Sequence, residues 1–540
     1  MAAASGTTYV ARGIYGHPGA TALTIAPDGR IQAIGSTPPD DTTIDRRWAE
    51  AWLYPGFIEA HSHPDTGWLW GAGAYLGAIE RRTPGGGTDA GCHSIEQVLS
   101  RLQAARDSTD ETTPILAWGY DPWHVEGSPL DRRTLDQVSA TRPVFVLHAS
   151  QHVVSVNSAV IAMDALDTNP TPGIQRDPAG KPTGILAEPE AILATAIARA
   201  ALAGEFQPSA LQQFGVEASH AGYTTATDLD TTALLRPDSA DAYASTVNAP
   251  EFPVRLAAFC HIDTSSEQQL AASIQAARNA RQLGTAKLRT GFAKLFLDGS
   301  IQAETAKLTH PYLDAGTGQW LTEPARFASI LAELDTAGLT VHTHGNGDAA
   351  ARAFADALNA LPLPAGHQYQ RHALTHAQLA DDATLTRIRD AGGTVSFLIN
   401  HIRWWGDAEA DHILGAERAA RLDPAASAER LGLAYSLHSD SPVTPIDPLE
   451  LIANAIDRRT ESGRALGPDQ RITASQAINA ITRSAAWQLG MESEVGELAL
   501  GMRADVTAAD RNLTACRAGD EVRAARILGT MLDGTPTSTL

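Results

Sequence analysis

The chain has 540 residues, of which 41 are Lys or Arg and 62 are Asp or Glu, for a formal charge of −21. That length exceeds the roughly 100–200 residues of an ordinary domain and excludes a small disulfide-stapled scaffold, while the negative field opposes nucleic acid and anionic membranes. The three cysteines, Cys92, Cys260 and Cys516, are too scattered for a CxxC metal motif or a disulfide framework, which suits a reducing compartment and inert core thiols.

The opening MAAASGTTYVARGIYG lacks a basic stretch followed by an apolar run, so no secretory signal is read and the expected location is cytoplasmic. Residues 7–52 read as short strands, with turns at PDGR (27–30) and STPPDDTT (36–43). LYPGFIEAHSH (53–63) then reads as one apolar strand. About 160 residues separate its end from the next clear strand near Gly222, far too many for one βα loop, so an inserted subdomain is expected. It carries the turn-rich RRTPGGGTDAG and NPTPGIQRDPAGKPTG, and long loops at the C-terminal end of a strand generally serve a site, which makes it a candidate lid. Within it, AEPEAILATAIARAALAG (187–204) is predicted to form one soluble amphipathic helix, because Glu188, Glu190 and Arg199 interrupt any membrane span.

From about residue 220, apolar runs alternate with helical stretches: GYTTATDLD, VRLAAFCHI, FAKLFLDGS, LTVHTHGNG, RHALTHAQ, GTVSFLIN and LAYSLHSDSP. PARFASILAELDTAG places apolar residues at helical spacing before Gly338, a C-terminal cap, and DDATLTRIRDAGG repeats the arrangement. With 53–63 as the first, the strands number eight, which closes a parallel barrel. Residues 496–540 again read as short strands, turning at LDGTP (532–536). Neither terminal half-set has strands enough to bury a face, so the two are expected to pair. The expected segments are 1–52 and 491–540 as the halves of that β unit, 53–64 as barrel strand 1, 65–215 as the insert, and 216–490 as the rest of the barrel.

His61 and His63 are two positions apart, so on a strand both imidazoles point to one side. Neutral imidazoles suit Zn²⁺, Fe²⁺ or Mn²⁺. His344 in VHTHGNGD, His376 in ALTHAQ and Asp440 in LHSDSP stand at the C-terminal ends of three other predicted strands, the face where barrel enzymes build their sites. Lys294 sits within FAKLFL, and an amine in apolar surroundings has a lowered pKa, which supplies the neutral form able to add CO₂. The alternative is an unmodified lysine beside a single metal. Asp440, beside a cation, stays ionised and can accept a proton from metal-bound water, whose pKa zinc lowers to ~7. Asp348 in HGNGD is expected to cap the helix after the fifth strand. NHIRWWGD contributes His401, Arg403, Trp404 and Trp405, which could bind a ring or a carboxylate or simply pack on the rim.

PGFIEAHSH, the lysine of FAKLFLDGS, HGNGD, THAQ and SDSPV occur in the order and spacing of the amidohydrolase superfamily, and resemble its YtcJ-like, N-substituted formamide deformylase branch. GYDPWHVEGSPLDRRTLD, RPVFVLHASQHVVSVNSA and VGELALGMRADVTAAD are similar to that branch as well. The resemblance implies an α/β fold: a distorted (β/α)8 barrel of the TIM type with a large insertion after strand 1, plus a small β-sandwich from both chain ends. It implies one or two divalent metals, zinc foremost, with iron or manganese as alternatives. His61 and His63 match the strand-1 ligands, Lys294 the strand-4 lysine that can be carbamylated to bridge two metals, His344 and His376 the ligands of strands 5 and 6, and Asp440 the strand-8 acid. His342 and His372 then lie deeper, in packing or support. His148 and His152 match a segment of the insert, with Gln151 where relatives often have Gly, and His152 is a candidate substrate contact.

The implied activity is metal-dependent hydrolysis of a non-peptide amide, N-acyl or N-formyl bond by metal-bound hydroxide, with Asp440 as general base and then acid. The same residues would serve a deaminase, a cyclic amidase, or a carbamate or ester hydrolase. A non-enzymatic reading is a metal-stabilised ligand-binding barrel. The expected partner is a small-molecule substrate, with neither nucleic acid nor membrane, and homodimerisation stays open.

Overall fold

The computed structural model describes residues 6–64, 69–71, 73–83, 86–202, 206–362 and 371–539. Its centre is an eight-stranded, all-parallel sheet. The strands are β1 (Phe57–Ile58), β2 (Tyr223–Thr231), β3 (Arg255–His261), β4 (Leu288–Phe296), β5 (Thr340–Gly345), β6 (Ala373–His376), β7 (Thr394–Phe397) and β8 (Tyr435–Leu437). They neighbour one another in chain order. Nearly every residue of β2, β3 and β5–β8 is buried, as expected of parallel strands covered on both faces.

The register places the chemistry-bearing residues at one end of this sheet. Phe296 pairs with His344, and Gly345 with His376. The sheet curls until its outer strands meet. Ser62 and Ser441 form a parallel bridge, His63 N donates to Ser441 O at 2.7 Å, and Asp440 N donates to His61 O at 3.0 Å.

Helices return the chain between strands. Pro324–Thr336 buries Phe327, Ile330, Leu331 and Leu334, and the chain leaves it through Gly338 at φ +73°. Asp382–Asp390 starts on an Asp381 side chain that accepts from Thr384 N, and buries Leu385 and Ile388. Among the described residues, no helix is long and apolar enough to cross a membrane.

Two segments depart from the sequence-based expectation. The run 53–63 is not one strand. Trp52–Pro55 pairs antiparallel with Val506–Ala509, and only Phe57–Ile58 joins the central sheet. The chain changes sheets at Gly56, where a side chain would collide with Thr224. His61 and His63 therefore stand just beyond β1, held by the Ser62 bridge. The second departure is 187–204, which forms two short helices, Glu188–Ile192 and Ala196–Leu202, with 203–204 outside the described residues. Thr195 separates them: its hydroxyl donates to Ile192 O and accepts from Ala198 N, while Asp164 accepts from Ala196 N.

Among the described residues four further sheets accompany the central one, the smallest a two-stranded ribbon of Arg81–Arg82 and Thr88–Asp89. Between β1 and β2 lies a six-stranded sheet in the order Ile174–Arg176, Pro182–Ala187, Val153–Val156, Val144–His148, Ile115–Tyr120, Ala74–Tyr75. A five-stranded sheet combines Gly13–Ile14 and Trp52–Pro55 with Val506–Ala509, Ile527–Leu532 and Thr535–Thr539, and a four-stranded sheet lies within residues 7–45. Tyr9, Leu23, Ile31, Leu53, Val506 and Met531 share one apolar cluster between them. Arg255, at the start of β3, anchors this region: its Nε and Nη2 donate to Asp505 at 2.7 and 3.0 Å, with both side chains almost fully buried.

Candidate metal centre and its cavity

The strand ends bring five side chains together. His61 Nε2 lies 3.3 Å from His63 Nε2 and 3.2 Å from Asp440 Oδ1, which is 3.4 Å from His63 Nε2. His376 Nδ1 is 3.8 Å from Asp440 Oδ2 and 3.3 Å from His438 Nε2. Two sets of donor atoms each fall within 4.8 Å: His61, His376 and His438, and His61, His63 and Asp440. His61 belongs to both. His344 packs against His376 with ring centroids 4.5 Å apart, but its Nε2 is within 3.0 Å of Gly299 O and Asn346 Nδ2, outside both sets. Lys294 also lies outside them, its Nζ donating to Thr375 Oγ1 at 3.4 Å and resting 5.1 Å from the Phe296 ring.

The backbone is held in costly geometry here. His376, Ala377 and Asp440 take φ of +70°, +50° and +52°. Such conformations in residues other than glycine cost about 1–3 kcal/mol each and persist where surrounding bonds over-determine them. Buried Glu59 supplies some of those bonds, accepting from His61 N at 3.2 Å, Ser439 N at 3.1 Å and Ser439 Oγ at 2.8 Å. Burial pushes the Glu59 carboxyl up to about 7.

Electrostatics leave the imidazoles in their ligating form. Burial, followed by neighbouring positive groups, holds His61, His344 and His376 well below the ordinary histidine value, and burial puts His438 at about 3. Neutral histidines keep a lone pair for a metal. Asp440 is held low: burial works against ionisation, but the His63 hydrogen bond and nearby positive charge outweigh it. Burial lowers Lys294 to about 8, against the pull of Asp230 and Asp440. His61 Nδ1 is buried without a hydrogen-bond partner. Four imidazoles and a carboxylate around such an orphaned nitrogen fit a divalent cation.

His61, His63, Lys294, His344, His376 and Asp440 all line one cavity of about 1640 Å³. Leu69, Trp118, Phe145, Leu147, Ile192 and Phe206 give much of its remaining lining an apolar character. His152 lines it too, its ring 5.1 Å from that of His344 and its Nδ1 2.8 Å from Glu188 Oε2. Gln151 takes φ +60°, the conformation that glycine adopts without strain.

Other candidates lie elsewhere. His148 bonds Ser155 Oγ at 2.9 Å and packs on Tyr120. His401 bonds Glu409 at 3.0 Å, Arg403 pairs with Glu450 at 3.1 Å, and Trp405 Nε1 donates to Asp121 Oδ2 at 2.9 Å. Trp404 packs beside them and its carbonyl accepts from His124. None of these four lines the cavity among the described residues; Trp404 and Trp405 tie the loop after β7 to His124 and Asp121, and His401 and Arg403 bond Glu409 and Glu450. His342 is buried against Phe259, and His372 bridges Val341 N and Asp335. Asp348 is not the helix cap. Gly347 holds that position, and the Asp348 carboxylate accepts instead from Thr309 N and Oγ1. Sequence reasoning missed His438, Glu59 and Glu188. The first had a readable signal, since HSD repeats the two-residue spacing of HSH.

The profile described as the amidohydrolase family matches residues 50–537. The chain belongs to that family and is an enzyme, a hydrolase acting on carbon–nitrogen bonds. It is similar to an N-substituted formamide deformylase of Arthrobacter pascens, at 25% identity over 93% of this chain and 90% of the relative. It is also similar to a putative amidohydrolase, YtcJ, of Bacillus subtilis, at 24% identity over 84% and 83%. Protein LONG AFTER FAR-RED 3 of Arabidopsis thaliana is 26% identical over 88% and 82%. Among solved structures, an uncharacterized metal-dependent hydrolase of Pyrococcus furiosus shares the fold, with TM-score 0.66 and 20% identity over 94% of this chain and all of that one.

Proposed function

We propose that the chain hydrolyses a non-peptide amide, an N-acyl or N-formyl amine, using a divalent metal held at the mouth of a distorted (β/α)8 barrel. In this reading the six-stranded sheet belongs to an insertion covering the mouth, and the two terminal sheets form a β-sandwich. The observation that carries it is the convergence of His61, His63, His376 and Asp440 on one cavity, with His438 beside His376 in a donor set that shares His61. The apolar part of the cavity lining supports a substrate with a sizeable apolar substituent, and the similarity to a formamide deformylase supports an amide.

When bound, the cation supplies Lewis-acid polarisation of a carbonyl and a water of lowered pKa. The neutral imidazoles hold it. Asp440, kept ionised, accepts the proton of the attacking water and returns it to the departing nitrogen, so that the carbon–nitrogen bond breaks to give an acid and an amine. A panel of N-acyl and N-formyl amines, carbamates, esters and amino-purines or pyrimidines tests the reading by product analysis. Release of an amine together with a carboxylic acid is expected. Release of ammonia from a ring as the sole reaction would replace it with a deaminase.

Lys294, with its lowered pKa, has a neutral fraction at neutral pH that can add CO₂, releasing a proton and leaving an anionic carbamate. Native mass spectrometry is expected to show one CO₂ on the metal-loaded chain, absent in Lys294→Met. An unmodified Lys294 at saturating bicarbonate contradicts the carbamate.

A further inference from the structure

One charged side chain of the segment between β1 and β2 reaches the turn that carries Asp440. Arg81 opens a two-residue ribbon in which Arg81–Arg82 pairs with Thr88–Asp89, and it is only 7% exposed. Its Nη2 donates to Pro442 O at 2.5 Å and to Val443 O at 3.1 Å. The guanidinium lies 5.3 Å from the ring centroids of both Tyr75 and Trp118, aromatic contacts that fix where it sits. Ile79, two residues earlier, shares an apolar cluster with Val443.

Those two carbonyls belong to buried residues, and a buried acceptor without a donor is costly. They also belong to a turn under constraint. Asp440 sits at φ +52°, and Val443 N closes the turn onto Asp440 O at 2.7 Å. Glu59 holds Ser439 on one side of Asp440. Arg81 holds Pro442 and Val443 on the other. A strained residue persists only where the surrounding structure over-determines it, and a displacement of ~1 Å at a reacting group can cost ~10²-fold in rate.

We propose that Arg81 is a positioning residue for Asp440, pinning the 440–443 turn so that the carboxylate stays in register with the substrate. The proposal rests on Asp440 acting as the acid and base of the hydrolysis. It makes the inserted segment part of the catalytic apparatus through backbone carbonyls, with no contact between Arg81 and substrate required.

The test compares Arg81→Met with Arg81→Lys in the metal-loaded enzyme. An ammonium has three donors and can bridge the same two carbonyls, whereas Met has none. For the Met variant, amide hydrogen exchange of the 439–444 segment is expected to accelerate with metal content unchanged. On the amide that the wild type cleaves fastest, kcat is expected to fall ~10²-fold with KM little altered. Lys is expected to restore protection and most of kcat. Unchanged exchange in the Met variant, a loss confined to KM, or no recovery with Lys overturns the proposal. If the Met variant does not fold, Arg81→Leu, which also has no donor, replaces it against Lys under the same criteria. Should the wild type cleave no amide, the functional reading fails on its own, while hydrogen exchange still decides whether Arg81 pins the turn.

Discussion

Asp440→Asn is expected to retain metal and lose on the order of 10²–10⁴-fold in kcat, the usual scale of a general acid–base contribution. The substitution changes little in shape. An amide oxygen can still face His61 and His63, which now lie 3.2 and 3.4 Å from Asp440 Oδ1, and the backbone bonds that hold the turn are untouched. What disappears is the capacity to take a proton from water and return it to the leaving nitrogen. The loss should appear in kcat, and it should be smaller for esters with good leaving groups, whose departure needs less protonation. The measurement is steady-state kinetics with metal analysis on the same sample. Undiminished kcat would remove Asp440 from the proton path.

His61→Ala is expected to abolish both turnover and stoichiometric metal binding, a larger effect than any other single histidine. The reason is geometric: His61 is the one residue common to both donor sets. His63→Ala and His438→Ala each break one set and leave the other, so partial metal retention is expected in both. Truncating a buried imidazole also opens a cavity, which costs stability in its own right. Thermal melts of the metal-free proteins therefore serve as the control, since a metal-specific loss exceeds any drop in folding. Full occupancy in His61→Ala would mean that the cation, if one binds, sits elsewhere.

Much of this arrangement is legible in the amino-acid order, for identifiable reasons. Runs such as LTVHTHGNG and GTVSFLIN end in turn residues and alternate with helices at 3–4 spacing, and the structure has Thr340–Gly345 and Thr394–Phe397 within them. A parallel strand buried on both faces announces itself as an apolar run regardless of which sheet receives it. That same blindness hides the split at Gly56, because WLYP and FI look like one strand until their partners are known. The break in 187–204 turns on Thr195 and on Asp164, a distant residue that accepts from Ala196 N, and composition alone favours a continuous helix.

For the site, period-two spacing finds His61 and His63, and the same rule applied to residues 438–440 finds His438. The pairing of His152 with Glu188 spans 36 residues and leaves no local trace. The NHIRWWGD aromatics show the reverse limit. Their composition suits a binding loop, yet Asp121 and Glu409 provide partners that draw Trp405 and His401 into the interior.

Anomalous scattering from crystals of the metal-loaded protein locates the cation directly. The expected result is a peak about 2.0–2.2 Å from an imidazole nitrogen of His61, with Asp440 and at least one of His63, His376 and His438 completing the shell, and metal content of at least one per chain. A metal-free protein with full hydrolytic activity, or a peak remote from His61, would contradict it.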